Sequence, residues 1–420
     1  MIGLLILLLV LIIIAVPIAY SFLASALVYI IFITPYDLMM PVQQMLHSLD
    51  SFSLLAVPFF LLLGSLMETT GVADRLVRFA TSLVGFMRGG LAQGCMLSGM
   101  FMACVSGSAN ADATALGTVL IPSMKKEGYP PTFAASVVAA AAIMGPIIPP
   151  SIFLIFYGAI ANVSVGKLFL GGFIPGILMY LSFSFIIGIM ARHYGFGERK
   201  AFNLKNVYSS TKGAIGPLFI PMIVIGGIVF GFFTPTEAGA IAVLVVLVIG
   251  IKKLSMANII KALRQVTAVL GPVMIVVTAA AIIAHLLTLE QISESLTPFF
   301  SQFGSDKLLL MTISIAVVIV GCFMEGLAIL MILIPVFFPI VTSLGVDPVA
   351  FGVIMVFAIT VGMVTPPVGL VMFIVCSIAN VSLIDFFKHF LPFFIGCAIV
   401  LILMIFFPIV ITFLPNLLMK

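Results

Sequence analysis

The chain has 420 residues, of which 63% are hydrophobic and only 8% are charged. Soluble domains contain about 25% charged residues, whereas the mean hydropathy of this chain is +1.38. No water-soluble fold buries that much apolar surface, and disordered chains have the opposite composition, so a soluble enzyme and a disordered protein are both excluded. Apolar runs of about 20 residues recur from end to end and predict an all-α polytopic membrane protein.

The first apolar run, residues 2–33, resembles a signal peptide because Ala24, Ser25 and Ala26 have the form of a cleavage site. The run is too long for a signal peptide and no positive charge precedes it, so we expect a retained first helix. This helix and the outer loop after it form a first segment, residues 1–50. Further crossings are expected at 51–70, 131–162, 168–191, 213–233, 235–251, 265–288, 349–379 and 390–417.

Two more apolar regions, 90–124 and 306–343, are interrupted in the middle. We interpret both as re-entrant hairpins, which leaves an odd number of crossings, a cytoplasmic N-terminus and a periplasmic C-terminus. Of the 18 Lys and Arg residues, all but Lys167, Lys307 and Lys420 then lie on the inner side. This agrees with the positive-inside rule, although two-pass hairpins would give the same orientation. The basic residues therefore indicate topology and not a nucleic-acid site.

Two segments are expected to lie flat at the membrane surface. Residues 74–88 carry Arg75, Arg78 and Arg88 on an otherwise apolar helix, as an amphipathic arm at the inner surface would. Residues 290–303 occupy the corresponding place later in the chain, on the outer side. Ordinary solvated loops are the alternative for both.

An internal repeat is visible around two proline pairs. Residues 145–164 read GPIIPPSIFLIFYGAIANVS, and residues 362–382 read GMVTPPVGLVMFIVCSIANVS. Upstream, Asp112 and Glu325 occupy corresponding places in the two interrupted hairpins. Each unit therefore predicts a helix, an arm, a hairpin, a broken helix and a helix.

The two units face opposite ways across the membrane. The first unit covers 51–191 and starts outside, whereas the second covers 265–420 and starts inside. Residues 192–264 join them as a cytoplasmic loop and two linking helices. Inverted repeats with broken helices are the architecture of secondary transporters, with the binding site near the bilayer midplane.

The proline pairs interrupt backbone hydrogen bonding inside the membrane. Pro149 and Pro150 cannot donate to the carbonyls of residues 145 and 146, and Pro366 and Pro367 release those of residues 362 and 363. An orphan carbonyl costs several kcal/mol in hydrocarbon, so another group must bind these oxygens. A small hard cation such as Na⁺ is one solution, and a structural water at a proline kink is the other.

The hairpin tips carry small and polar residues. In 106–112, SGSANAD, Gly107 permits a sharp turn, and Ser108 or Asn110 can cap the following half-helix. The free N–H groups at such a half-helix start favour a carboxylate. Asp112 and Glu325 are the acids nearest the membrane centre, and either they bind cations or protons or they cap the half-helices.

The motifs SGSANADATALGTVLIP, GPIIPPS and GMVTPPVGL resemble the large membrane subunit of tripartite ATP-independent periplasmic (TRAP) transporters, over nearly the whole chain. The resemblance implies an elevator-type fold of the ion-transporter superfamily, with scaffold and transport domains. It implies Na⁺-coupled import of an organic acid, such as a sialic acid or a C4-dicarboxylate, across the bacterial inner membrane. The implied partners are a periplasmic substrate-binding protein and a small four-helix membrane subunit, expected as a separate chain.

The resemblance also implies site residues. One sodium site is expected at Ser106, Ser108, Asn110, Gly145, Ile148 and Pro150, and a second at Cys322, Glu325, Gly326, Gly362, Thr365 and Pro367. The substrate is expected at Ser108, Ala109, Asn110, Ser151, Met324, Gly326 and Val368. Cys322 to Met324 are less polar than the first tip, so ligands there are expected to be backbone carbonyls.

Two alternatives stay open. A stand-alone cation/carboxylate symporter of the same superfamily would need no binding protein. An intramembrane enzyme is disfavoured because the chain has no GxSxG or HExxH pattern and no nucleophile beside its central acids. No cofactor is expected besides Na⁺ as the coupling ion.

Overall fold

The computed structural model describes residues 2–14, 16–195, 203–291 and 305–419, and the regular elements in these ranges are all helices. The helices are α1 Ile2–Ile13, α2 Ile18–Phe32, α3 Met39–Leu49, α4 Ala56–Thr69, α5 Val72–Val84, α6 Gly90–Ser106, α7 Ala109–Lys126, α8 Pro131–Ala142, α9 Ile152–Ala161, α10 Val165–Tyr194, α11 Leu204–Val229, α12 Pro235–Gly250, a 3₁₀ turn Ile251–Lys253, α13 Met256–Leu289, α14 Asp306–Gly321, α15 Gly326–Ser343, α16 Pro348–Gly362, α17 Leu370–Ala379, α18 Leu383–Phe406 and α19 Ile409–Leu418.

Five of the described helices are each long and apolar enough to cross a membrane: α10, α11, α13, α15 and α18. The pair α4 and α5 passes the same test together but is bent by 74°. Gly71 joins the pair with a φ of +66°, a conformation that favours glycine. A separate short helix therefore stands where the first arm was expected, and its position at the membrane surface stays a prediction. Residues 292–303 of the second predicted arm lie outside the described residues.

Three expectations about the outer parts of the chain are wrong. Residues 2–33 do not form one helix, because α1 and α2 are separate and Pro17, which cannot donate a backbone hydrogen bond, lies at the break. The stretch 390–417 is likewise divided, with Pro408 just before α19. The predicted outer loop contains a helix, α3, whose hydrophobic residues lie on one side. The breaks at Pro17 and Pro408 and the added helix α3 therefore all lie outside the two hairpins.

The repeated Ala-Asn-Val-Ser has the same structural role in both units. Asn162 and Asn380 end α9 and α17 in the left-handed region, at φ of 53° and 56°. Asparagine tolerates this region better than other non-glycine residues. Ser164 and Ser382 then cap the next helices by accepting hydrogen bonds from backbone N–H groups. The four residues thus form a helix-to-helix turn that keeps α9 and α17 short.

The two units contact each other reciprocally. In the first unit, the hairpin helix α7 packs against α17 of the second, and α15 in turn packs against α9. The same holds for α8 against α18 and α16 against α10. Such paired contacts are what a two-fold relation between units requires. The exact domain boundaries stay predictions.

Candidate functional site

The tip of the first hairpin lies directly against the first broken helix. A Cβ on Gly107 would lie 2.6 Å from the carbonyl oxygen of Pro150. Gly107 has a φ of +60°, so both its conformation and its surroundings require glycine. On the other side of the turn, Gly145 faces the Asp112 carboxylate, and a Cβ there would lie 2.8 Å from Oδ2. The fold therefore brings the residues of the first expected sodium site into one neighbourhood.

Oxygen atoms dominate this neighbourhood. The Ser106 hydroxyl donates to Asp112 Oδ1 at 2.6 Å and accepts the Ser108 N–H at 3.3 Å. Within the described residues, the buried oxygens Asp112 Oδ2 and Asn110 Oδ1 have no hydrogen-bond partner. The Gly145 and Ile148 carbonyls likewise receive no hydrogen bond from that part of the chain. A set of oxygen donors around a carboxylate suits a hard cation.

One carbonyl that the proline pair was expected to release is already satisfied. The hydroxyl of Ser151 donates to the Pro146 carbonyl and also accepts the Leu154 N–H as the cap of α9. Ser151 is fully buried. Its hydroxyl therefore serves the backbone of the break, and a substrate contact by this side chain stays a prediction.

The second hairpin tip meets the second broken helix through two glycines. A Cβ on Gly362 would lie 2.6 Å from the Gly321 Cα. The Cys322 carbonyl accepts the N–H groups of Val368 and Gly369, each at 3.1 Å. These hydrogen bonds connect the tip to the segment just after the proline pair, whereas the first tip meets its break through the close approach of Gly107 to the Pro150 carbonyl.

The expectation of free carbonyls is wrong at the second break. Gly362 O accepts the Thr365 N–H at 3.0 Å, and Met363 O accepts the Val371 N–H at 3.1 Å. The Thr365 hydroxyl donates to the Val361 carbonyl at 2.7 Å. Sequence reasoning considered only the helical partner four residues away, whereas the chain folds back on itself here. Gly362 O keeps a second lone pair that could face a cation, whereas Met363 O also accepts the Met372 N–H at 3.4 Å and Val361 O the Val364 N–H at 3.3 Å.

The two central acids have different surroundings. Glu325 caps α15, because its carboxylate accepts the N–H groups of Leu327 and Ala328 at 2.9 and 3.2 Å. Asp112 lies four residues beyond Ser108, the cap position of α7, and is fully buried. Of the two roles left open by the sequence, the structure shows capping for Glu325 and not for Asp112.

Both hairpin tips face one cavity of about 1040 Å³. Its walls include Ser106 to Asp112 from the first tip, and Glu325, Leu327 and Ala328 from the second. The rings of Phe153 and Phe156 form its apolar floor, and Phe153 also touches Gly326. A cavity with a few polar groups at half-helix starts can hold a small organic anion.

The cavity contains some of the expected substrate residues and some that were missed. Ser108, Ala109 and Asn110 line it, whereas Ser151, Met324, Gly326 and Val368 are not among its lining residues. The opposite wall is formed by α4 and α13, where Ser65 donates to Gln265. The sequence analysis did not predict Gln265 as a site residue. Its position as a polar residue at the start of an apolar run was the signal that could have indicated it.

Paired hairpins and broken helices around one central cavity define the class of this protein as a secondary transporter. The chain belongs to the family described as "Tripartite ATP-independent periplasmic transporter, DctM component", whose model matches residues 5–410. It is thus a large permease subunit of a TRAP transporter, which confirms the resemblance seen in the motifs.

Several named relatives align with nearly the whole chain. The C4-dicarboxylate TRAP transporter large permease protein DctM of Pseudomonas aeruginosa is 36% identical over 94% of this chain and 93% of its own length. The sialic acid TRAP transporter large permease protein SiaM of Vibrio cholerae is 34% identical, over 96% and 95%. The 2,3-diketo-L-gulonate protein YiaN of Escherichia coli is 33% identical over 93% of both chains. The names differ in substrate, so similarity alone does not choose one.

A solved structure supports the fold. The YdaH transporter of Alcanivorax borkumensis has a TM-score of 0.66 to this chain, covers 89% of both chains and is 14% identical. At that identity the likeness concerns the fold alone. It agrees with the overall all-α fold described above.

Proposed function

We propose that this chain is the permease of a Na⁺-driven importer of an organic acid in the bacterial inner membrane. The acid arrives on a periplasmic binding protein, and a small membrane subunit accompanies the permease. The N-terminus is cytoplasmic and the C-terminus periplasmic. The substrate class, carboxylates such as sialic acids or C4-dicarboxylates, is the one named in the relatives.

The observation that carries the sodium proposal is the Asp112 carboxylate. A buried charge without a partner is strongly unfavourable, because desolvation costs several kcal/mol. Ser106 supplies one hydrogen bond to Oδ1, whereas Oδ2 has none from the described residues. A Na⁺ ion bound by Oδ2 and the Gly145 and Ile148 carbonyls would neutralise the charge and satisfy the broken backbone together.

Coupling follows from the place of this site beside the cavity. Ser108 and Asn110 belong to the tip at the sodium site and also line the cavity. A bound cation there lowers the cost of placing an organic anion at the same half-helix start, and the anion does the same for the cation. Binding of both is therefore mutually favourable, as reciprocal linkage requires.

The test is uptake by the permease reconstituted with its small subunit and binding protein, measured as a function of Na⁺ concentration. Asp112→Asn removes the charge and keeps the shape, so we expect the half-saturating Na⁺ concentration to rise about 10-fold or more, which corresponds to roughly 1.4 kcal/mol. An unchanged Na⁺ titration in this variant would exclude Asp112 as a sodium ligand.

Glu325→Gln makes the corresponding change at the second tip. The amide oxygen of glutamine can still accept the N–H groups of Leu327 and Ala328, so the cap survives without the charge. Because Glu325 is also among the residues expected at the second sodium site, an unchanged Na⁺ titration would leave it as a cap alone, whereas a shifted titration would make it a sodium ligand. The stand-alone symporter is tested in the same vesicles: rapid uptake of free substrate without the binding protein would favour it.

A further inference from the structure

A second recess adjoins the substrate cavity and is basic. It measures about 530 Å³ and is lined by Ala257, Ile260, Lys261, Arg264, Gln265 and Ala268. These positions recur every three or four residues, so they form one face of α13. Gln265 and Ala268 line both the recess and the cavity. The two spaces therefore adjoin each other across one turn of helix.

The cations of this recess are free to bind an anion. Neither the Lys261 nor the Arg264 side chain makes an ion pair or a hydrogen bond with the residues that the structure describes. The acids on the wall of the adjoining cavity are Asp112 and Glu325 at the hairpin tips and Glu68 on α4, which is exposed. The positive-inside rule explains why basic residues lie on this side of the membrane. It does not require that two of them share one recess beside the cavity.

Gln265 stands at the junction of the two spaces. The Ser65 hydroxyl donates to its Oε1, which leaves the Nε2 hydrogens without a partner among the described residues. Oε1 is thereby fixed toward α4, and the amide can offer N–H groups to a passing acceptor. An N–H donor next to Arg264 suits the oxygens of a carboxylate.

We propose that the Lys261–Arg264 face of α13 is a second, weaker binding site for organic carboxylates, which the anion enters past Gln265 when it leaves the cavity. The identity of the anion rests on the proposed function, whereas the attraction of anions rests on the structure of the recess alone. On leaving the cavity, the anion would lose its contacts with the N–H groups at the hairpin tips and gain contacts with Lys261 and Arg264. It would therefore not have to pass through apolar surroundings without a partner.

The test uses tryptophan fluorescence, because the chain contains no tryptophan. Ala268→Trp places a single reporter between the recess and the cavity, and Ala257→Trp is a second reporter if the first variant does not fold. The protein is held in nanodiscs of phosphatidylcholine. Quenching by iodide, an anion, is compared with quenching by neutral acrylamide at constant ionic strength.

We expect the ratio of iodide to acrylamide quenching to fall about two- to three-fold when Lys261→Gln and Arg264→Gln are combined, because the local positive potential is lost. Lys212→Gln on α11 removes an exposed basic residue away from the recess and should leave the ratio unchanged. Millimolar succinate should lower iodide quenching in the parent reporter and not in the double variant.

Two outcomes would overturn the proposal. An equal quenching ratio in the parent and the double variant would show that the recess does not attract anions. If succinate has no effect on the parent reporter, the recess does not bind carboxylates, and if phosphatidylglycerol then lowers iodide quenching in the parent reporter but not in the double variant, the recess binds a lipid headgroup instead. Neither measurement needs Na⁺, a partner or transport, so a failure here is distinct from a failure of the proposed function.

Discussion

At the scale of single residues, hydroxyl groups stabilise the broken backbone in three different ways. Ser106 hydrogen-bonds the Asp112 carboxylate, Ser151 donates to a carbonyl of the first break, and Thr365 donates to the Val361 carbonyl. Each hydroxyl uses its single hydrogen in this way, Ser106 and Ser151 also accept one backbone N–H each, and every one of the three keeps at least one lone pair available. A hydroxyl can therefore stabilise the fold and offer an oxygen to a cation at the same time.

Thr365→Val tests this second use. Thr360, inside the helix α16 that ends at Gly362 before Thr365, donates its hydroxyl to the Val356 and Phe357 carbonyls and does not belong to the break. Both valine variants lose one hydrogen bond, worth about 1 kcal/mol, so similar losses of thermal stability are expected. Only Thr365→Val should raise the half-saturating Na⁺ concentration, by roughly three- to ten-fold. Equal Na⁺ titrations for the two variants would remove Thr365 from the second sodium site.

At the scale of elements, the hairpins are held to the broken helices by backbone-to-backbone contact. At the second tip, Gly321 and Gly362 leave no room for a side chain on either partner. Small residues allow helices to approach closely in membranes, where van der Waals packing replaces the hydrophobic effect. The close contact also places the Cys322 carbonyl within reach of the Val368 and Gly369 N–H groups.

Gly362→Ala should therefore weaken the second tip. Its Cβ would lie 2.6 Å from Gly321 Cα and 2.9 Å from the Val318 carbonyl oxygen, and both are backbone atoms. Overpacking of this kind costs about 1–3 kcal/mol, so a lower unfolding temperature is expected. Gly271→Ala on α13, where nothing lies within 4 Å of the new Cβ, should be neutral or slightly stabilising.

The measurement is thermal unfolding of the purified protein, followed by a thiol-reactive dye. Cys95, Cys322, Cys376 and Cys397 are buried and become reactive only as the fold opens. Equal unfolding temperatures for the two alanine variants would contradict a tight contact at this tip.

The elements that the sequence predicted best are those marked by breakers. Proline pairs and tip glycines are local signals, and both hairpins and both broken helices lie where these signals stand. The sequence also carried a proline at position 17, but a continuous apolar run concealed the break between α1 and α2. Apolar length alone therefore overestimated the first helix.

The site was less predictable because its contacts are distant in sequence. The partners of Met363 O lie beyond the proline pair, and Gln265 meets Ser65 across 200 residues. No local pattern reports such pairs. The difference between Asp112 and Glu325 has the same origin, since only the fold shows which acid reaches free N–H groups.

At the scale of the whole molecule, hydrogen bonds between the units join the hairpins and broken helices into one body. Lys125 at the end of α7 donates to the Ala379 carbonyl of α17 at 2.6 Å. The Tyr157 hydroxyl of α9 donates to the Pro348 carbonyl at the start of α16 at 2.7 Å. Each bond connects one unit to the other, so the two tips and the two breaks are expected to move together.

The arm α5 packs against both the first hairpin and a linking helix. It follows the 74° bend after α4 and contacts α6 and α11. Its Arg75 and Arg78 suit an anchored position at the membrane surface. If the hairpins and broken helices slide as an elevator while these arginines hold the arm at its depth, the contact between α5 and α6 must shift.

Cysteine accessibility tests this motion. In a background without the five native cysteines, Ser108→Cys reports on the first hairpin tip, Thr365→Cys on the second break and Ser82→Cys on the arm. We expect Na⁺ and substrate to change the side from which positions 108 and 365 react with a membrane-impermeant thiol reagent, and to change both together. Position 82 should react from one side throughout, because α5 does not travel. The contradicting result is that positions 108 and 365 each stay reachable from one and the same side of the membrane in every condition that supports transport. The hairpins and broken helices would then not move across the membrane. Access would then be controlled by a local gate at the cavity, whose walls α4 and α13 could open without any displacement of the hairpins.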